Sequence, residues 1–186
     1  QSMSAMFVGT SGTGLIVNNA TDGIQTAYGN GIRVTNSSNL TIDGVDLSYN
    51  GARRSGSGVY LDGTNNALTI RNVNTDKRSL GLRIGDAGQD LVVTGNQLTN
   101  NDIGLYVFGL TDGADANTSA FTGSNNRFTG SRDAISLQNM SAPLLIGNSD
   151  VAGVAFAIDP SSDLTSTYGV AINLSTVSNV TVDGVD

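Results

Sequence analysis

The chain has no cysteine, no histidine and no tryptophan, and two prolines in 186 residues. Without cysteine it can form neither a disulfide nor a thiolate, so it carries no record of its redox compartment. Without histidine, every nucleophilic triad that relies on an imidazole is excluded. Charged residues make up 13% of the chain and aromatic residues 5%, both low for a globular enzyme. A net charge of -7 disfavours nucleic acid and anionic membranes as partners. No apolar run approaches the roughly 20 residues that a membrane-spanning helix requires. Gly9-Thr10-Ser11-Gly12-Thr13-Gly14 has the glycine spacing of a phosphate loop but not its lysine.

What the chain has is repetition. A short strand that opens with Gly or Ala returns as Gly14-Leu15-Ile16-Val17, Gly31-Ile32-Arg33-Val34, Gly58-Val59-Tyr60-Leu61, Gly81-Leu82-Arg83-Ile84, Gly104-Leu105-Tyr106-Val107, Ala134-Ile135-Ser136-Leu137 and Gly153-Val154-Ala155-Phe156. The starts are 17, 27, 23, 23, 30 and 19 residues apart, a period near 23. Second strands follow at 40–42, 68–70, 91–93, 144–146 and 180–182, with Ala120-Phe121 as a weaker member. Gly, Asn, Asp and Ser clusters bound these runs, as short strands joined by tight corners require.

One such unit has too few apolar residues to bury a face, so the units must stack and share an interior. The fold class expected is all-β, a parallel solenoid with coils of about 23 residues. Alternation along each strand sends Val34, Leu61, Ile84, Val107 and Leu137 into one core ladder, beside a second inward row of Ile32, Val59, Leu82, Leu105 and Ile135. It turns Arg33, Tyr60, Arg83, Tyr106 and Ser136 outward as an exposed row. The abundant Asn, Ser and Thr suit side-chain ladders between coils.

A longer period encloses the short one. Asn39-Leu40-Thr41-Ile42-Asp43-Gly44-Val45-Asp46 returns 140 residues later as Asn179-Val180-Thr181-Val182-Asp183-Gly184-Val185-Asp186. Across residues 20–46 and 160–186, ten of 27 positions are identical. No linker interrupts residues 1–186, which read as a single solenoid segment with a turn-rich insertion at about 108–131. The first residue is Gln1, which points to processing or excision. Open strand edges at the end of such a stack recruit further strands, so head-to-tail self-association along the solenoid axis is expected.

Gly31-Ile32-Arg33-Val34-Thr35-Asn36-Ser37-Ser38-Asn39-Leu40-Thr41-Ile42 resembles the repeat of right-handed parallel β-helix proteins, a group that includes pectate lyases, alginate epimerases, phage tailspikes and bacterial surface proteins. The resemblance runs from about Gly14 onward and implies a right-handed β-helix. It implies no single activity, because unrelated functions are grafted onto these coils. The epimerase motif Asp-Pro-His is not kept, since Asp159-Pro160 is followed by Ser161. Together with the composition, the resemblance implies a place outside the cell or on its surface.

Two sets of residues carry candidate chemistry. Arg53, Arg54, Lys77, Arg78 and Arg132 fall in connections between coils, and stacking would align them as a basic edge for acidic polysaccharide. Lyases resembling this fold use Arg or Lys to remove a proton beside a uronate carboxylate, with calcium neutralising the charge. Asp43, Asp62, Asp112 and Asp183, each followed by Gly, are the calcium candidates, although Asp-Gly is first a turn signal and no cofactor is required. The function expected is a structural segment of an extracellular repeat protein: a surface fibre, stalk or adhesin array. The alternative is an acidic-polysaccharide-binding or lyase-like β-helix. No motif marks a catalytic residue, and the balance leans away from an enzyme.

Overall fold

The structure, a computed structural model, describes residues 6–8, 15–16, 29–35, 40–49, 56–62, 65–85, 87–109, 121–141, 144–147 and 170–185. Its strands are β1 (Met6–Val8), β2 (Leu15–Ile16), β3 (Ile32–Thr35), β4 (Leu40–Asp43), β5 (Val45–Asp46) and β6 (Ser57–Asp62). Next come β7 (Asn65–Arg71), β8 (Asn74–Asp76), β9 (Leu80–Gly85), β10 (Ala87–Thr94), β11 (Gln97–Thr99) and β12 (Ile103–Phe108). The last are β13 (Phe121–Ser124), β14 (Arg127–Thr129), β15 (Asp133–Met140), β16 (Leu144–Gly147), β17 (Val170–Val177) and β18 (Val180–Asp183). Among the described residues there is no helix.

The strands form three sheets, ordered β1-β4-β7-β10-β13-β16-β18, β14-β11-β8-β5-β2 and β17-β15-β12-β9-β6-β3. From β1 to β16 the chain visits them in rotation, one strand per sheet per coil; β17 and β18 belong to the third and first sheets, and neighbouring strands pair in parallel. This is a parallel β-helix. The first and third sheets contain the two strands read from the repeat. The second, of strands two or three residues long, is additional.

In the third sheet Val34, Leu61, Ile84, Val107 and Leu137 are in register from coil to coil. Leu61, Ile84, Val107 and Leu137 are fully buried. Val59, Leu82, Leu105 and Ile135 are buried in the neighbouring inward row. The first sheet adds Ile42, Ile70, Val93 and Ile146, and the second adds Leu98 and Phe128, with Leu47 just beyond β5, so one core runs along the axis. On the outer row Arg33 is exposed and Tyr60, Arg83 and Tyr106 are half-buried. Ser136 departs from the expected exposure: it is buried, a small side chain in register between the larger Tyr106 and Asn173.

The strand-opening Gly has a packing cause. A Cβ on Gly31, Gly58, Gly81 or Gly104 would lie 2.8, 2.6, 2.5 or 2.7 Å from the carbonyl oxygen of Gly58, Gly81, Gly104 or Ala134, one coil on. Gly81→Ala is therefore expected to lower unfolding free energy by about 1–3 kcal/mol through overpacking, measured by urea denaturation followed by circular dichroism. An unchanged midpoint would refute this close approach.

Corners between sheets are held by left-handed residues and amide ladders. Gly44, Asn72, Gly95 and Asn125, between the first and second sheets, have φ of 66°, 53°, 67° and 54°, a conformation that Gly and Asn tolerate best. Beside them, Asn96 accepts from the Val73 backbone N–H at 2.9 Å and donates to Ile70 O at 3.1 Å and to Asn126 Oδ1 at 2.9 Å. Asn126 in turn donates to Val93 O at 2.9 Å. Buried corner amides and carbonyls thus find partners without water.

Of the insertion expected at about 108–131, residues 121–129 are regular members of the first and second sheets. Asn126-Arg127-Phe128-Thr129 repeats Asn96-Gln97-Leu98-Thr99, with Phe128 in register on Leu98. Residues 110–120 are outside the described set.

Candidate functional site

Among the described residues, Lys77, Arg78 and Arg132 do not come together as a basic edge. Arg53 and Arg54 fall outside the described residues. Lys77 is exposed at a corner with φ of 56°. Arg132 is paired with Asp133 at 3.3 Å. Arg78 is not on the surface at all: it is the largest fully buried side chain of the described core. Its Nε donates to Leu47 O at 2.7 Å and its Nη1 to Gly29 O at 3.0 Å, and its guanidinium lies 5.4 Å from the Tyr49 ring centre. Burial pulls its pKa down to about 10, with Tyr49 acting in the opposite direction, so it stays charged at neutral pH.

The reason for this burial is positional. Arg78 occupies the corner site that Asn101 and Ser131 fill in the next two coils, as shown by Arg78 N–H donating to Asn101 Oδ1 and Asn101 N–H donating to Ser131 Oγ. Where the later coils use a short polar side chain, this one uses a long cation that reaches back to two preceding turns.

The described Asp-Gly carboxylates are dispersed. Asp43 is buried, with Oδ2 paired to Arg71 Nη2 at 2.9 Å and Oδ1 accepting from Asn72 Nδ2 at 2.8 Å. Asp62 faces Arg83 at 3.9 Å. Asp112 is outside the described residues. Asp183 is exposed and lies in the same row as Asp43, with Arg71, Thr94, Ser124 and Gly147 between them. At about 4.8 Å per strand this keeps the two carboxylates on the order of 24 Å apart, beyond the reach of one cation. Among the described residues no three acidic, His or Cys side chains converge as a metal site.

A planar polar ladder covers the outer face of the third sheet. The Arg83 guanidinium stands 4.1 Å from the Tyr60 ring centre and 4.7 Å from that of Phe108, and Arg33 approaches Tyr60 at 5.4 Å. Tyr106 stacks with Phe108 at 5.4 Å and its hydroxyl donates to Gln138 Oε1 at 3.0 Å. Phe108 folds back across Gly85, where a Cβ would collide with the ring. These groups mostly satisfy one another. The ladder ties neighbouring coils together through cation–π contacts.

The other notable surface is the coil of β17 and β18. Val170, Leu174 and Val182 are 41%, 44% and 48% exposed. Two of these rows continue the core: Leu174 follows Leu137 and Val182 follows Ile146, while Val170 follows Asp133. By the 140-residue offset Val182 is the counterpart of Ile42, which is fully buried against the next coil. An open pocket of about 480 Å³ borders this coil, lined by Asn139, Met140, Ser141, Thr176, Val177 and Ser178. None of these lining residues is ionisable, so the pocket carries no acid–base chemistry.

Sequence reasoning missed the second sheet and the inward turn of Arg78. The sheet left a signal in the recurring Asn96-Gln97-Leu98-Thr99 and Asn126-Arg127-Phe128-Thr129. Arg78 left none, because an isolated arginine in a turn has the same local signature whether it points in or out.

A family model described as "Right handed beta helix region" matches residues 2–149. Neither a curated protein nor a solved structure matches the chain.

Proposed function

The chain belongs to the right-handed β-helix family, and from that premise we propose that it is a structural segment of an extracellular repeat protein, a surface fibre, stalk or adhesin array that grows by coil-on-coil stacking. The observation that carries this reading is the 140-residue recurrence, whose second occurrence continues the core rows of the stack at Leu174 and Val182. A recurring coil adds length and a repeated contact surface. It adds nothing evident to a single catalytic centre. Joining the leading coil of one copy to the β17–β18 coil of another is a heterologous contact, which propagates into a filament rather than closing as a dimer. Low charge and ladders of Asn suit a rigid, exposed rod, which supports a location outside the cell.

The reading of a binder or lyase for acidic polysaccharide is supported less well. It rested on an aligned basic edge, and Arg78, one of its members, is spent inside the core.

The absence of cysteine provides the test. A Val182→Cys chain carries one thiol, on the open row. Its labelling by a maleimide is expected to slow as protein concentration rises, in step with growth of the scattering mass, while a thiol at exposed Lys77 (Lys77→Cys) keeps a constant rate. Labelling at Val182→Cys that is independent of concentration, with a monomer by light scattering, would remove assembly from separate subunits, and a gene with no further copy of the 140-residue unit would then remove this function.

A further inference from the structure

We propose that the outer face of the first sheet is an interface for a second copy of this chain, which packs against it side by side and reversed along the solenoid axis, about a two-fold axis lying along β13. The contact goes beyond axial stacking, because it uses the flank of the rod and neither end. Two outward rows run down this sheet between the buried rows. Across β7, β10, β13, β16 and β18 the first row is Thr69, Val92, Thr122, Leu145 and Thr181. The second is Arg71, Thr94, Ser124, Gly147 and Asp183. They alternate with Ile70, Val93 and Ile146, which are fully buried.

Each row is complementary to itself about its middle. Reversal about β13 returns the positions of Thr122 and Ser124 to themselves and sets Thr69 against Thr181. It sets the aliphatic Val92 against the aliphatic Leu145 and the basic Arg71 against the acidic Asp183. Thr94 then meets Gly147, which has no side chain to obstruct it. Other strands do not serve as the axis in this way: about β10 Arg71 would meet Ser124, and about β16 Asp183 would meet Ser124, so neither charge finds its opposite. Two sheets packed face to face keep their strands nearly aligned, as an axis along a strand requires. The contact is isologous, so every pairing occurs twice and the assembly closes as a dimer.

The face is accessible for this. Leu145 is 39% exposed and the Arg71 side chain 47%, while Thr69, Val92, Thr94 and Ser124 are half-buried. Between Arg71 and Asp183 the two rows carry no charge, so little ionic hydration is lost when two copies meet. Arg71 holds Asp43 of its own chain through Nη2 at 2.9 Å. A guanidinium has five donors in a planar fork, so the same side chain can serve a second carboxylate.

The experiment is done in a Leu174→Asp chain, where a charge on the axial row blocks end-to-end growth and lateral pairing is read alone. Light scattering is expected to give twice the mass of one chain, and adding Leu145→Asp is expected to halve it with the circular dichroism spectrum unchanged. A thiol at Ser124 (Ser124→Cys) lies on the two-fold axis, and packed sheets stand about 10 Å apart, within the span of a short bismaleimide. Cross-linked dimer is expected to form at least about tenfold faster from Ser124→Cys than from Gln97→Cys, exposed on the second sheet, because pairing raises the effective concentration of the partner thiol. A monomeric Leu174→Asp chain overturns the pairing. Equal cross-linking rates at the two positions overturn it as well, whether or not the Leu145→Asp chain folds. A cross-linked lateral dimer in a parent chain that never lengthens leaves this inference standing and removes filament growth by separate subunits.

Discussion

Replacing Arg78 with alanine is expected to be among the most damaging single changes in the described core, costing about 3–5 kcal/mol of unfolding free energy. Two effects add. The carbonyls of Leu47 and Gly29 lose charge-assisted donors inside the core, and an unsatisfied buried acceptor costs about 1–3 kcal/mol. The second effect is a cavity left by the largest fully buried side chain. Arg78→Met separates them, because it fills much of the volume and still strands both carbonyls. It is expected to recover part of the loss and no more. Urea denaturation of the three chains checks this, and an Arg78→Ala midpoint close to that of the parent would show that the corner does not depend on the guanidinium.

Ile84→Ala is expected to cost about 2–5 kcal/mol. Ile84 is fully buried between Leu61 and Val107 in the third-sheet ladder, so truncation opens a void flanked by rungs that cannot collapse without breaking strand register. In a stack whose stability sums nearest-neighbour interfaces, a middle rung belongs to two of them. Leu174→Ala is the control. Leu174 continues the same ladder but is 44% exposed, and its truncation is expected to cost less than about 1 kcal/mol in the isolated chain, in line with substitutions away from packed sites. Equal losses at the two positions would mean that the ladder is not the source of stability.

The legible part of this molecule was its periodic part. Strand openings at Gly31, Gly58, Gly81, Gly104 and Ala134 announced the third sheet because both alternation and a close backbone contact act on the same residues. The first sheet was legible from Leu40-Thr41-Ile42 and Leu68-Thr69-Ile70 through alternation alone. The second sheet was hidden because two or three residues are too few to show alternation, and because its inward position is Leu47 or Leu98 in some coils and the polar Thr75 in another. Thr75 is tolerated inside since its hydroxyl accepts from Asn101 Nδ2 at 3.0 Å. The candidate sites were least legible. Whether Arg78 joins Lys77 at the edge or turns inward depends on carbonyls 31 and 49 residues away, a distance no local pattern spans.

The left-handed corners bear on how such a rod can change length. Asn72 donates to Asp43 in the coil before it, while its Oδ1 would stand 3.0 Å from a Cβ on Gly95 in the coil after it. Asn100 repeats the arrangement, donating to Asp76 and lying where a Cβ on Gly130 would collide with its amide. At these two places the amide fills the space that a side chain on the following glycine would need. Lys77 and Asn100 both carry side chains at successive left-handed corners of one row, so the restriction is local: a coil is added most readily beside Asn72 or Asn100 when the corner that follows the amide is glycine.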